Sequence, residues 1–213
     1  MQILSINIGQ KRTQRKGAEL EITGIYKIPT SGPVHVGKLG LPDDFICDEK
    51  NHGGPDQAVF IYGAPDYAWW SEQLGRDLEP GTFGENITLS DFESANCRIG
   101  DRLHLGTVIL EFTAPRTPCS TLAARMGDPG FVKTYRRAER PGIYCRVIQE
   151  GFIQGGDPVA LVPYAGPTVS NLEIFREHYR HPPDSEMLRR ILQAPVAIRT
   201  RAEVERELQK LAR

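Results

Sequence analysis

The sequence pattern changes near Pro167, and this change constrains the fold more than any other feature. Before it, all 21 glycines and most of the prolines break the chain into short alternating runs, which is typical of brief strands joined by tight turns. After it there is no glycine, and apolar residues recur every three to four positions, which indicates helices. The sequence therefore predicts a mainly β domain over residues 1–166 and a helical subdomain over residues 167–213.

Within the first part, alternation is clearest over residues 102–112, where apolar residues lie on both sides of Gly106. A hairpin with one buried face requires this pattern. Other runs are also predicted as strands, namely residues 3–8, 20–28, 58–62, 143–148 and 159–162. Two short helices are predicted between them, over residues 65–75 and 131–137. So many short strands favour a barrel or a sandwich.

Three helices are predicted in the C-terminal subdomain. Ser170 with Glu173, and Thr200 with Glu203, have the spacing of a capping box, in which side chain and backbone satisfy each other at a helix start. Apolar stripes follow at helical spacing, formed by Leu172, Phe175 and Tyr179, by Met187, Leu188, Ile191 and Leu192, and by Val204, Leu208 and Leu211. We interpret these stripes as core, and expect a packing or homo-oligomer role for this subdomain.

The overall composition excludes several classes of partner. The 26 basic and 27 acidic residues nearly cancel, so there is no broad positive field to attract a nucleic acid polymer or a membrane surface. No apolar run approaches the roughly 20 residues that span a bilayer. Four widely spaced cysteines are too few to staple a chain of this length, so we expect free thiols and a cytoplasmic protein.

One glycine-containing segment, residues 50–58, could bring the backbone close to an anion. The adjacent Gly53 and Gly54 can adopt positive φ, and consecutive N–H groups in such a turn form a concave anion site. Lys50 and His52 lie directly beside them. The alternative is a tight turn into the strand that follows, with a solvated lysine.

A second such segment, Pro-Gly-Thr-Phe-Gly-Glu-Asn, covers residues 80–86. Its small residues could again bring main chain to a surface. Asn86 directly precedes a predicted strand and could present its amide inward to hydrogen-bond a heterocycle. The alternative is an ordinary loop.

Cys119 is the strongest candidate for chemistry. Pro115 and Pro118 fix two φ angles and remove two donors, so the thiol should lie on a stiff bend outside any regular ladder. Arg116 nearby would lower the pKa of the thiol and favour the thiolate, which attacks electrophiles and binds soft metals. For Cys47, Cys97 and Cys145 we predict a packing role. His35, His104, His178 and His181 have no mutual spacing that suggests a metal face, so the sequence does not favour zinc chemistry.

The order of these segments resembles the MOSC family, named for the C-terminal domain of molybdenum cofactor sulfurases. The shared segments are His-Gly-Gly-Pro-Asp at residues 52–56, Pro-Gly-Thr-Phe-Gly-Glu-Asn at 80–86, Gly-Asp at 100–101, Arg-Thr-Pro-Cys at 116–119 and Gly-Gly-Asp at 155–157. The resemblance covers nearly the whole chain. Within the family, it is to the bacterial branch that carries a three-helix C-terminal extension.

The resemblance implies a MOSC-type β-barrel that holds the molybdenum cofactor, molybdopterin, with Cys119 as the ligand to molybdenum and the catalytic residue. It also implies that the chain reduces N-hydroxylated compounds, such as hydroxylaminopurines or amidoximes. The sequence has no dinucleotide fingerprint, no cysteine cluster for iron and sulfur and no haem attachment motif, so we expect the electrons to come from a separate reductase. Cofactor contacts carry over to seven residues: Lys50, His52, Gly53, Gly54, Asp56, Asn86 and Arg116. The chain departs from the family where a Gly-Asp followed by Gln is usual, because Asp43, Asp44 and Ile46 occupy that stretch.

Two alternatives use the same cysteine. In the first, the chain is a non-catalytic carrier that hands on the cofactor, or a sulfur atom held on Cys119 as a persulfide. In the second, Cys119 is the nucleophile of a transferase or hydrolase and His52 is its base. The second alternative requires that the two side chains meet in the folded protein.

Overall fold

The computed structural model describes residues 1–48 and 52–212. The strands of this part are β1 (Ile3–Gly9), β2 (Arg12–Lys16), β3 (Glu19–Thr23), β4 (Lys27–Thr30), β5 (Val34–Val36), β6 (Val59–Gly63), β7 (Ile87–Leu89), β8 (Arg102–Leu105), β9 (Val108–Pro115), β10 (Ile143–Gln149), β11 (Gly151–Ile153) and β12 (Val159–Val162). The helices are a 3-10 turn (Pro55–Gln57), α1 (Ala64–Leu74), α2 (Ser120–Met126), α3 (Phe131–Ala138), α4 (Asn171–His178), α5 (Ser185–Gln193) and α6 (Ile198–Leu211).

Eight strands form one mixed sheet in the order β12, β8, β9, β10, β6, β7, β1, β4. All neighbours are antiparallel except β6 and β7, which are parallel. The predicted barrel is wrong, because in the described residues no ladder joins the edge strands β12 and β4. Alternation shows that a strand has one buried face, but does not determine how the outer strands pair.

Most of the predicted strands and both predicted short helices are confirmed. The hairpin of β8 and β9 pairs Leu105 with Val108 around Gly106. Residues 20–28, however, do not form one strand, because β3 and β4 are separated at Gly24. A Cβ placed on Gly24 would lie 1.7 Å from the Phe45 carbonyl oxygen, so the chain bends there against the 41–48 loop.

The three C-terminal helices pack on the rest of the fold, mostly through their predicted apolar stripes. Leu188 of α5 and Val204 of α6 belong to the same buried cluster as Phe112 of β9. The core position predicted for Leu211 is wrong, because this side chain at the end of α6 is exposed.

A second cluster is aromatic and surrounds the fully buried Trp70 of α1. The stripe of α4 is buried through Phe175 in this aromatic cluster. None of the helices in the described residues is long and apolar enough to cross a membrane.

The capping box of Ser170 is confirmed, whereas that of Thr200 is wrong. Both hydrogen bonds of the Ser170 box are present at the start of α4. Helix α6 instead begins at Ile198 without a side-chain cap from its own N-cap residue. The Ile198 N–H donates to a carboxylate oxygen of Asp56 at 2.7 Å. Because Asp56 supplies this contact, Thr200 is not needed as a cap and lies within the first turn of the helix.

Candidate functional site

Cys119 lies between the end of β9 and the start of α2, as the two flanking prolines predict. Its backbone is extended, with φ −123° and ψ 166°. The side chain is half-buried and borders two cavities at once. The thiol is therefore partly sheltered from solvent while remaining accessible from two sides.

The charges around Cys119 favour its thiolate. Burial by itself would raise the pKa of the thiol. Hydrogen bonding from His52 and the positive charge of Arg116 outweigh burial and lower that pKa to about 6. At neutral pH most of the thiol is therefore ionised. His52 and Cys119, although 67 positions apart in the sequence, meet in the fold.

Arg116 is buried beside the thiol with only part of its hydrogen-bonding capacity used. Its Nη1 group donates to the Phe83 carbonyl oxygen, and its guanidinium carbon lies 5.1 Å from the centre of the Phe60 ring. Its Nε group is also buried and has no hydrogen-bond partner among the described residues. A buried cation with an unsatisfied N–H group is suited to an anionic ligand.

Five residues that the sequence pattern did not single out also border both cavities, namely Lys16, Asp48, Gln57, Thr121 and Tyr144. The Tyr144 hydroxyl lies 3.4 Å from Nδ1 of His52. Gln57 accepts a hydrogen bond of 3.0 Å from Arg199 of α6 through its side-chain oxygen. Tyr144 could have been identified from strand periodicity, since it must face opposite to the fully buried Cys145.

The first cavity, of about 230 Å³, lies between Cys119 and the 45–48 loop. Asn86 lies on its wall with both polar atoms engaged by protein. Its oxygen accepts from the Phe60 N–H at 3.0 Å, and its nitrogen donates to Asp44 at 2.8 Å. Asp44 also forms a buried ion pair with Lys27. The departure from the family pattern at Asp44 thus supplies a carboxylate that orients Asn86.

The second cavity, of about 710 Å³, lies between Cys119 and the C-terminal helices. All three of these helices contribute to its wall. The residues that they and the loop after α4 provide are Ile174, Glu177, His178, Arg180, His181, Pro183, Leu188, Ile191, Arg199, Thr200, Glu203, Val204, Glu207 and Lys210. The subdomain therefore does more than pack, because it forms one side of the candidate site.

Residues 48–160 match the model of the MOSC domain. The matched range includes His52, Asn86, Arg116 and Cys119. The chain belongs to the MOSC family.

Other MOSC-like proteins extend the similarity beyond the matched domain. YflK of Bacillus subtilis is 33% identical over 89% of this chain and 86% of its own length. A protein named Reductase from Gibberella moniliformis is 31% identical over 82% of this chain, but over only 31% of its own length. The structure of YiiM from Geobacillus stearothermophilus superposes with a TM-score of 0.80 at 30% identity, covering 97% of this chain and 98% of that one.

The other described residues for which the MOSC resemblance implies a cofactor contact do not line the cavities beside Cys119. Gly54 has φ +92°, as predicted, and open space around it. Gly53 is buried and does not adopt a positive φ, so that part of the prediction is wrong. The Asp56 carboxylate forms an ion pair with Arg146 at 3.0 Å and binds the start of α6. Gly53, Gly54 and Asp56 border neither cavity. Lys50 lies outside the described residues.

The other cysteines divide into two kinds. Cys97 and Cys145 are buried, as predicted, and burial raises the pKa of each thiol well above its usual range. The packing role predicted for Cys47 is wrong, because this residue is exposed and borders the first cavity. No group of three or more metal-binding side chains occurs within the described part of the chain.

Proposed function

We propose that this protein is a molybdenum-cofactor-dependent reductase of N-hydroxylated compounds, with Cys119 as the protein ligand to molybdenum. The observation that carries the proposal is a thiol whose pKa is lowered to about 6, at the junction of two cavities in a MOSC protein. The thiolate is the form that binds soft metals. The name of the Gibberella relative, Reductase, supports a reduction.

The residues around Cys119 fit the cofactor. Cys119 would bind the metal, and the unsatisfied Nε group of Arg116 would bind an anionic group of the molybdopterin. The second cavity, at about 710 Å³, is within the usual size range of cofactor sites. Asn86, oriented by Asp44, lies on the wall of the first cavity, so it would contact only a part of the cofactor that enters that cavity.

The reaction requires two electrons and two protons: R–NH–OH plus these gives R–NH₂ and water. When bound, the molybdenum cofactor would supply the redox chemistry. The protein's own part is to hold the thiolate through His52 and Arg116, and to shelter the reacting group from solvent beneath the C-terminal helices. An enclosed site strengthens each of these electrostatic contacts.

The electrons would come from a separate reductase. The sequence has no dinucleotide-binding fingerprint and no Cys-x-x-Cys pair for an iron–sulfur cluster. Redox partners usually meet through small, transient interfaces. We therefore expect no sustained turnover with NADH or NADPH alone, and turnover when an artificial low-potential donor is added.

The test is reduction of an amidoxime or an N-hydroxylated base by molybdenum-loaded protein with that donor. The wild type and Cys47→Ser should form the amidine or amine, whereas Cys119→Ser should not. Cys47→Ser is the matched control, because Cys47 borders the same first cavity. Full activity in Cys119→Ser, or sustained turnover with a nicotinamide cofactor alone, would refute the mechanism.

The contact between His52 and Cys119 also favours a second candidate, namely thiol chemistry without metal. A base beside a thiolate is the arrangement of a cysteine nucleophile, and the same thiolate could carry a persulfide. Either function predicts activity in a metal-free preparation that is lost on alkylation. A metal-free protein without transferase, hydrolase or sulfur-transfer activity would exclude this candidate.

A further inference from the structure

The hairpin of β2 and β3 forms a separate two-stranded sheet with one uncovered face. Its register pairs Thr13 with Ile22 and Arg15 with Leu20, so these four side chains share that face. All four are exposed, with Leu20 69% and Ile22 46% exposed. Ile22 also borders the first cavity. Two adjacent apolar side chains on this outer face are suited to an interaction surface.

The charges of the hairpin are mostly positive. Residues 11–23 contain four basic and two acidic side chains, namely Lys11, Arg12, Arg15, Lys16, Glu19 and Glu21. Glu21 is neutralised by Lys16, with which it forms an ion pair at 2.5 Å. In the described part of the chain no ion pair involves the other three cations. Helix α2, which packs against β2, adds Arg125 and no carboxylate.

Two of these cations are held in place by one aromatic ring. The guanidinium carbons of Arg12 and Arg125 lie 4.6 Å and 4.9 Å from the centre of the Tyr26 ring, a distance at which cation and ring attract each other. Arg125 also donates to the Ile25 carbonyl oxygen. Side chains that are already ordered lose less conformational entropy when a partner binds.

The opposite face of the hairpin packs on the candidate site. The Gln14 amide donates to Glu21 at 2.6 Å and to the Thr121 carbonyl oxygen at 3.2 Å, which holds the hairpin against α2, whose N-cap residue is Cys119. Lys16 borders both cavities. Its pKa is raised by the hydrogen bond to Glu21 and also by the negative charge of Cys119. Only one layer of sheet, about 10 Å thick, therefore separates the outer face from the site.

We propose that the outer face of the β2–β3 hairpin docks the electron-donating reductase through an acidic surface of that partner. The inference rests on the proposed function for the need of a donor. Opposite charges would steer the encounter, and Leu20 with Ile22 would form the small apolar centre of a transient interface. A second copy of this chain does not suit the face, because a two-fold contact would bring the same excess of positive charge together.

The experiment measures binding of flavodoxin, a small acidic flavin-containing electron carrier, to the purified full-length protein by calorimetry at low ionic strength. The double variant Lys11→Glu/Arg15→Glu should bind flavodoxin about tenfold more weakly, because two attractive pairs become repulsive. Added salt should weaken binding to the wild type far more than binding to this variant. Arg76→Glu/Arg98→Glu makes the same change in net charge at exposed positions outside the hairpin, and should bind flavodoxin as the wild type does.

A second pair of variants tests the apolar centre. Leu20→Ala should weaken flavodoxin binding about threefold or more, because apolar surface is no longer buried. Leu39→Ala is the matched control, since Leu39 is 68% exposed and lies outside the hairpin, and it should leave the affinity unchanged. All of these variants should keep wild-type turnover with the artificial small donor, which needs no docking surface.

No flavodoxin binding, or equal affinity in the wild type and Lys11→Glu/Arg15→Glu, would overturn the inference. A dimer in light scattering that Leu20→Ala dissociates would also overturn it, because the face would then bind a second copy. Binding to anionic lipid vesicles in place of flavodoxin would do the same. Because the assay needs no turnover, failure of the reductase assay with the artificial donor would overturn only the proposed function.

Discussion

At the scale of single residues, the contact between His52 and Cys119 determines the reactivity of the site. The pKa of the thiol, lowered to about 6, predicts that metal-free protein is alkylated with a midpoint near pH 6. Removing the hydrogen bond in His52→Ala should move the midpoint up toward that of an ordinary thiol, about 8.5. The measurement is the iodoacetamide rate against pH, followed by mass spectrometry of the Cys119 peptide.

This experiment is best done in a Cys47→Ser background, because Cys47 is an exposed thiol that iodoacetamide would also alkylate. A neighbour that stabilises the thiolate lowers the pKa of Cys119. In the wild type the alkylation rate of Cys119 should therefore stay high above about pH 6 and fall below that pH. A midpoint that is unchanged by His52→Ala would show that His52 does not act on the thiol.

Arg116 is expected to retain the cofactor. Replacing it with Ala removes a charge-assisted contact of about 1.5 to 3 kcal/mol, which corresponds to a tenfold to hundredfold loss of affinity. Lys should restore binding only partly, because it lacks the planar fork of the guanidinium. The measurement is molybdenum per chain after dialysis, with a thermal unfolding scan to confirm that each variant folds. Unchanged molybdenum in both variants would contradict this role.

Short-range sequence signals identified Cys119 and Arg116, because the prolines and the charge are adjacent in the chain. They could not identify Gln57, and for Tyr144 strand periodicity gives only the face of β10 on which it lies, not that this face borders the site. These two reach the site only after β10 and the 3-10 turn are positioned by strand pairing and by α6. Residues brought together by long-range packing leave no local signature.

At the scale of elements, Asp56 joins the 3-10 turn to α6. It pairs with Arg146 and receives the Ile198 N–H group. We therefore expect Asp56→Ala to lower the free energy of unfolding by about 1 to 2 kcal/mol, the sum of a lost helix cap and a partly exposed ion pair. Urea unfolding measures this, with the exposed Asp43→Ala as control. Unchanged stability with reduced molybdenum content would place Asp56 with the cofactor instead.

The same contact explains why one capping box was predicted correctly and the other was not. At Ser170 the required partners are all local, three positions apart. At α6 the N-terminal N–H group is satisfied by a carboxylate 142 positions away. Thr200 and Glu203 therefore do not cap α6, and both side chains line the second cavity.

At the scale of the whole molecule, the sequence predicted the strand-rich part, the three C-terminal helices and their packing on the core. It did not predict the open sheet, because closure depends on pairing between strands far apart in the chain. It also did not predict that the helices form one wall of the second cavity. An apolar stripe shows which face of a helix is buried, but not what lies beside that face.

Molybdenum content is the most direct test of the central claim, that Cys119 holds the metal. Wild type and Cys119→Ser would be expressed in a host that makes the cofactor, purified in parallel and analysed for metal. We predict molybdenum close to one atom per chain in the wild type, and a large loss in Cys119→Ser with the fold retained, because an alcohol is a much poorer ligand for a soft metal than a thiolate. Equal molybdenum in the two proteins, or none in either, would contradict it.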